Sequence, residues 1–306
     1  MNDVEQRDAD SQQRRCAVVF NPQKVSDSFR TNLEAALPDD MEPLWLETTE
    51  DDPGKGMTAE AVEKSADLVL GAGGDGTIRV VAAGLAETGI PFGLIPAGTG
   101  NLLARNLGLP LQEKQAIAVA LGDQTRTIDL LKISADGGEP EHSAVMAGIG
   151  LDAAIMDETD SALKAKVGSA AYFLAATKQL GRKPLRITVQ VDDHKPVKRR
   201  ASVCLIGNVG ALQANITLIP DAEPDDGQLD VLVASPRRVK HWLHLMARIV
   251  SRRPQPDDRV NHLTGRSVTV ELAHEDRYQI DGDPGGTCTK LAAEIVPGAL
   301  IIKVQE

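Results

Sequence analysis

Four short apolar runs constrain this chain more than any other feature. CAVVF (16–20), EPLWLET (42–48), ADLVLG (66–71) and IPFGLI (90–95) recur at nearly even spacing, with helical periodicity between them. Ser26 opens a helix in which Phe29, Leu33, Ala36 and Leu37 share one face. GMTAEAVEKSA (56–66) is the next, with Thr58 as its expected cap, and TIRVVAAGLAE (77–87) the third. Strands alternating with helices in this way predict a parallel sheet covered on both faces. Ligands of such sheets bind beyond the carboxyl ends of the strands.

Two glycine-rich loops fall at those ends, GAGGDGT (71–77) and PAGTGN (96–101). Gly71, Gly73 and Gly76 satisfy the dinucleotide pattern G-x-G-x-x-G, which also wants an acidic residue about 20 positions on. The next strand ends LIPAGTG and has none. Gly73, Gly74, Gly76 and Thr77 can instead cradle phosphate with backbone N–H groups and a hydroxyl. Asp75 would repel that phosphate unless a cation intervened. Either Mg²⁺ bridges Asp75 to a polyphosphate, or Asp75 is a turn residue that caps a helix. In the second loop Gly98 and Gly100 permit close approach, Thr99 offers a hydroxyl, and Asn101 is the expected cap of the short helix that follows.

After QAIAVALGD (115–123) the texture changes. TRTIDLLKIS, HSAVMAG, LRITVQV, RRASVCLIG, LDVLVA and RSVTVEL are short, partly alternating runs separated by ADGG, DDG and DGDPGG. These predict an antiparallel sandwich, with Val268, Val270 and Leu272 on one face of their strand and Ser267, Thr269 and Glu271 on the other. Helical stretches at 161–180 and 237–253 interrupt it. The fold class is α/β, a parallel-sheet nucleotide-binding domain followed by a β-sandwich-like one. The expected divisions are a disordered tail (1–12), the α/β domain (13–130), the β-rich domain (131–290) and a closing strand (291–306).

With 306 residues there is room for two cores. Aromatic content of 3% argues against base stacking, and a net charge of -11 against non-specific binding to nucleic acid. Cys16, Cys204 and Cys288 lack metal-ligand spacing and point to a reducing compartment. The polar first residues do not read as a signal peptide, and no run is long and apolar enough to span a membrane, so a cytoplasmic protein is expected.

GGDGT, followed by a strand and PAGTGNLLARNLGLP, resembles the diacylglycerol-kinase catalytic-domain family, which includes bacterial lipid kinases and sphingosine kinases. Asn21-Pro22, GIGLDA (148–153), PDAEPDDGQLDV (220–231) and DGDPGG (281–286) extend the resemblance over residues 16 to 300. It implies ATP- and Mg²⁺-dependent phosphoryl transfer to a lipid hydroxyl, diacylglycerol or a related acylglycerol. The nucleotide loop then falls on Gly74 to Thr77, with further contacts at Thr99, Asn21 and Thr48 or its neighbour Thr49. The family's base matches Asp281, with Asp283 in place of a glutamate. A structural Mg²⁺ would sit beside Asp226, with Glu223 and Gln228.

The chain departs from the pattern where Leu102 follows Asn101 and where Arg79 and Val80 stand after GGDGT. Against the family's pattern the first leaves the details of the metal shell open, and the second implies a direct Arg–phosphate contact in place of a metal-side one. Asp281-Gly282 reads equally as an ordinary hairpin turn, as Asp226-Gly227 does. A lipid acceptor implies a membrane surface. Two basic segments are candidates for it, residues 237–253 and the Lys195, Lys198, Arg199, Arg200 cluster, each also readable as a packed helix or a solvated strand edge. Two rival functions remain at this stage, an NAD kinase-like enzyme with a soluble acceptor and a nucleotide-binding module without catalysis. The particular lipid and the oligomeric state are not legible.

Overall fold

The structure, a computed structural model, describes residues 13–150, 184–211, 218–219, 221–235 and 260–305. The tail at 1–12, both expected helices at 161–180 and 237–253, and the residues from 151 on in GIGLDA lie outside the described residues.

Four strands form the parallel part of the sheet: β1 (Arg14–Phe20), β2 (Met41–Glu47), β3 (Leu68–Gly73) and β4 (Phe92–Pro96). Their spatial order is β2-β1-β3-β4, and β3 lies directly beside β4. Along β1 the buried residues divide by parity, as a strand's two faces require. Ala17 and Val19 pack with Ala61 of α2 (Lys55–Glu63) and with Ile78, Val81 and Ala82 of α3 (Asp75–Gly84). Cys16, Val18 and Phe20 pack with Phe29 and Leu33 of α1 (Phe29–Glu34), and with Ala116, Ile117 and Ala120 beyond the short α4 (Leu102–Asn106), in α5 (Glu113–Ala120). Both faces of the sheet are therefore covered.

Two helix starts differ from expectation. Thr58 lies inside α2 and donates its hydroxyl back to the Gly54 carbonyl at 2.7 Å. Asp52 does the capping, accepting the N–H groups of Gly54, Lys55 and Gly56 at 2.9, 2.6 and 2.8 Å. Ser26 stands outside α1, which begins at Phe29 and ends before Ala36.

The second unit is built from β5 (Thr125–Ala135), β6 (Glu141–Ser143), β7 (Met146–Gly150), β8 (Leu185–Val191), β9 (Val197–Ala201), β10 (Val203–Gly207), β11 (Leu229–Ala234), β12 (Val260–Gly265), β13 (Ser267–Ile280) and β14 (Asp283–Lys303). Val268, Val270 and Leu272 are buried with Ile187, Val189 and Val191 of the neighbouring β8, as the alternation predicts.

The division expected at 130 falls inside β5, and the one at 290 inside β14. These two strands pair antiparallel from Ala135–Leu291 to Thr125–Lys303, with one register shift between Val296 and Leu300. The far end of β14 then lies parallel to β4, Ile302 opposite Phe92. The closing strand thus joins both units into one sheet. Ladder hydrogen bonding continues through both expected boundaries, so neither is a linker.

All three cysteines are free and buried; burial pushes the thiols of Cys16 and Cys204 up to about 12 and that of Cys288 to about 11. Among the described residues no helix is long and apolar enough to cross a membrane.

Candidate active site

The carboxyl ends of β1 to β4 gather the expected loops on one edge. Asn21 follows β1, donating its N–H to the Ala72 carbonyl at 2.9 Å and accepting that of Gln23 on Oδ1 at 3.0 Å. Thr48 is buried just past β2, its N–H on the Phe20 carbonyl. Gly73 to Thr77 follow β3, and Gly98 to Asn101 follow β4.

The two glycine loops touch backbone to backbone. A Cβ on Gly98 would stand 2.8 Å from the Gly74 Cα, closer than real side chains come, so only glycine permits this contact. A Cβ on Gly73 would meet the Thr77 side chain at 2.8 Å, which also keeps that hydroxyl against the loop. Thr77 is buried and Thr99 is exposed.

Asp75 answers part of the question its position raises. Its carboxylate accepts the N–H of Asn101 on Oδ2 at 3.0 Å and that of Leu102 on Oδ1 at 2.6 Å. It therefore caps α4, the helix of the other loop, and not its own. Asn101, expected to cap α4, uses its side chain elsewhere: Oδ1 accepts the Gly98 N–H at 2.9 Å and Nδ2 donates to the Gly98 carbonyl at 2.8 Å. Its left-handed backbone, φ 49°, closes the loop on itself and leaves the orphan N–H groups of α4 for Asp75. The carboxylate charge is thus partly spent on holding the two loops in register. Burial nevertheless lifts its pKa above the ordinary carboxylate range, with Asp283 adding to the rise and the Leu102 and Asn101 N–H groups opposing it.

Asp281 and Gly282 form the two-residue turn between β13 and β14, with φ of 50° and 91°. Two positive φ values in succession belong to the hairpin turn that favours Asp-Gly. The turn is a hairpin, yet it points its carboxylate into the protein rather than to solvent. Oδ1 accepts the Ser143 hydroxyl at 2.5 Å and the N–H groups of Val145 and Met146 at 3.2 and 2.8 Å; among the described residues Oδ2 has only the Ala144 N–H at 3.3 Å. The two oxygens are unequal: Oδ1 is saturated and Oδ2 retains free lone pairs. Burial raises the pKa of Asp281, opposed by Ser143, the backbone donors and the charge of Arg79.

Asp75, Arg79 and Asp281 line one small cleft, with Ile78, Leu102, Leu103, Ala144 and Val145 completing its walls. Asp75 of the first glycine loop and Asp281 of the hairpin, far apart in sequence, therefore share one space. Arg79 Nε donates to Asp283 Oδ2 and Nη1 to Glu141 Oε2, both at 3.2 Å. Asp283 Oδ2 also lies 3.5 Å from where a Cβ on Gly76 would stand, so the hairpin leans on the start of α3.

Glu223, Asp226 and Gln228 do not line this cleft. They are exposed, and Asp226 Oδ1 accepts the Gln228 N–H at 2.9 Å, a turn-forming bond. Their loop is docked on β5, where buried Asp129 accepts the Gly227 and Gly298 N–H groups, each at 2.7 Å, and Arg126 pairs with Asp225 at 2.8 Å. Among the described residues no group of three or more His, Cys, Asp or Glu side chains gathers as a metal shell. Burial raises the pKa of Asp226, with Asp230, Asp129 and Glu223 adding like charge and the Gln228 N–H opposing.

Sequence reasoning missed Ser143, Glu141 and the Ala144–Met146 backbone. HSAVMAG reads only as a strand, and nothing in its composition signals a carboxylate partner 135 or more residues away.

A parallel α/β unit whose strand-end loops face a sandwich-like second unit defines the class of protein. Residues 15–133 match the model for the diacylglycerol kinase catalytic domain, and 143–304 that for the YegS C-terminal NAD kinase beta sandwich-like domain. The chain belongs to the diacylglycerol kinase catalytic-domain family. It is 32% identical over 248 residues to a diacylglycerol kinase of Mycobacterium tuberculosis, covering 80% of this chain and 79% of that protein. It is 27% identical over 282 residues to one of Staphylococcus haemolyticus, covering 89% and 83%. In fold it is similar to a solved diacylglycerol kinase structure from Bacillus anthracis, at a TM-score of 0.74, 23% identity and coverage of 95% and 97%. An NAD kinase from Archaeoglobus fulgidus is more distant, at 0.54, 12% identity and coverage of 95% and 94%.

Proposed function

We infer that this chain is an ATP- and Mg²⁺-dependent kinase that phosphorylates a lipid hydroxyl, diacylglycerol or a related acylglycerol, at a membrane surface. The observation that carries it is the shared cleft of Asp75, Arg79 and Asp281. Phosphoryl transfer requires a phosphate cradle, charge neutralisation and an aligned acceptor. Gly73 to Thr77 and Gly98 to Asn101 are the cradle, with Asn21 and Thr48 on the same edge. Asp281 Oδ2 is the oxygen with lone pairs to spare, and it accepts the proton that leaves the acceptor hydroxyl. Asp283, paired with Arg79, frames the same rim.

The residues are compatible with Mg²⁺ at the nucleotide. A carboxylate has about four lone-pair sites. Asp75 uses two on backbone donors, which leaves it able to hold a metal-bound water. Mg²⁺ supplies charge neutralisation on the polyphosphate. A structural ion at Asp226, Glu223 and the Gln228 carbonyl would relieve the like-charge crowding on Asp226, completing its shell with water.

A panel assay with radiolabelled ATP against diacylglycerol, monoacylglycerol, phosphatidylglycerol, a sphingoid base and NAD tests the assignment. Label appearing in a chloroform-soluble product supports it. Turnover of NAD alone would transfer the site to the soluble-acceptor reaction, and tight ATP binding without any transfer would reduce the chain to a nucleotide-binding module.

A further inference from the structure

Arg79 connects the two units at the rim of the cleft. It lies one turn into α3, where a long side chain leans back toward the helix start and so toward the GGDGT loop. Its side chain is only 18% exposed, and its two acid partners both belong to the second unit: Asp283 at the β13–β14 hairpin and Glu141 on β6. Those partners are about half exposed, at 47% and 53%. Solvent screening makes such pairs weak. The guanidinium has five N–H donors, and the described residues engage two of them.

We propose that Arg79 is an exchangeable positioning residue: a nucleotide phosphate takes its guanidinium from Glu141 and Asp283, untying the second unit's rim and coupling nucleotide occupancy to acceptor entry. A polyphosphate at the adjoining loops offers Arg a bidentate, charge-assisted partner, stronger than two solvated carboxylates. The exchange leaves Asp283 and Glu141 solvated, which their exposure makes cheap. The inference rests on the kinase reading only in placing a nucleotide at the two loops.

The test is calorimetric titration of a non-hydrolysable ATP analogue with MgCl₂ into the full chain. Arg79→Ala should weaken binding about tenfold to a hundredfold, with Arg79→Lys recovering part of the loss. Glu141→Gln removes a competitor for the guanidinium and should tighten binding about two- to fivefold. With lipid acceptor present, Glu141→Gln should lower KM for ATP while kcat changes little. A purely structural Arg79–Glu141 pair predicts unchanged or weaker binding in Glu141→Gln, and either result would overturn the exchange, even if Arg79→Ala fails to fold. If the unaltered chain binds no analogue, the nucleotide reading itself fails. If it binds the analogue but phosphorylates no lipid, only the acceptor assignment is lost and the Arg79 comparison stands.

Discussion

Asp281 and Met146 hold each other twice: the Asp281 N–H donates to the Met146 carbonyl at 2.8 Å, and the Met146 N–H donates to Asp281 Oδ1 at the same distance. The main-chain bond fixes the hairpin and the side-chain bond fixes the carboxylate. The carboxylate is thereby held in one orientation at the wall of the cleft. Asp281→Asn should retain nucleotide binding while kcat falls by about 10² to 10⁴. Full turnover in this variant would remove Asp281 from the proton-accepting role.

The pKa of Asp281 is raised mainly by burial, so its charged form appears at higher pH than that of an ordinary aspartate. A base must be ionised to work. The acid limb of kcat/KM is therefore expected above about pH 4, the usual aspartate range, with activity rising through it. The same upward shift means that ionisation weakens the fold: this group's contribution to stability is full below the ordinary pKa and is lost as pH rises through the folded value. A pH–rate profile whose acid limb sits in the ordinary range would contradict the assignment.

Ser143 opposes that shift by donating its hydroxyl to Oδ1. Ser143→Ala should move the acid limb further up and lower the unfolding free energy at neutral pH by about 1 to 3 kcal/mol. Chemical denaturation and the pH profile together check it. A limb that stays in place would show that another group controls the profile.

Asp75→Ala deprives α4 of its cap and the two loops of their tie. A stability loss of about 0.5 to 2 kcal/mol is expected, as for other lost caps, along with impaired nucleotide-dependent activity that excess Mg²⁺ does not restore. Activity fully recovered by Mg²⁺ alone would show that the tie between loops is dispensable.

Gly98→Ala tests the contact between loops without altering any charge. The added methyl has the Gly74 backbone 2.8 Å away, so the loops must separate. A destabilisation of about 1 to 3 kcal/mol with weakened nucleotide binding is expected. Unchanged affinity for the ATP analogue would mean that the loops need not touch to function.

Much of the first unit was legible because its signals are local. Apolar runs of strand length, glycines at strand ends and periodic helices placed β1 to β4 and both loops within a few residues. Alternation likewise put Val268, Val270 and Leu272 on one face, the face that is buried. What escaped depends on partners distant in sequence. Thr58 and Asn101 are good caps by residue type, yet Asp52 and Asp75 take those roles because the backbone brings their carboxylates to the orphan N–H groups first. Asp281-Gly282 announces a hairpin, but no local pattern tells that residues 143 to 146 will fold around its carboxylate. The closing strand expected at 291–306 is the second part of a longer one: β14 starts at Asp283 and bends at Gly298, which takes a φ of 64° and has its N–H pinned by Asp129.

That bend has a bearing on how such a chain can be divided or recombined. Asp283–Lys303 begins at the hairpin beside Asp281 and finishes next to β4, the strand that leads into the PAGTGN loop. Severing the molecule at residue 130 or 290 would expose raw strand edges on both fragments, surfaces prone to clumping. Neither half can be swapped for a foreign counterpart as a self-contained cassette. Among the described residues the two units are joined through paired strands, β5 and β14, so the cleft is framed by one continuous sheet.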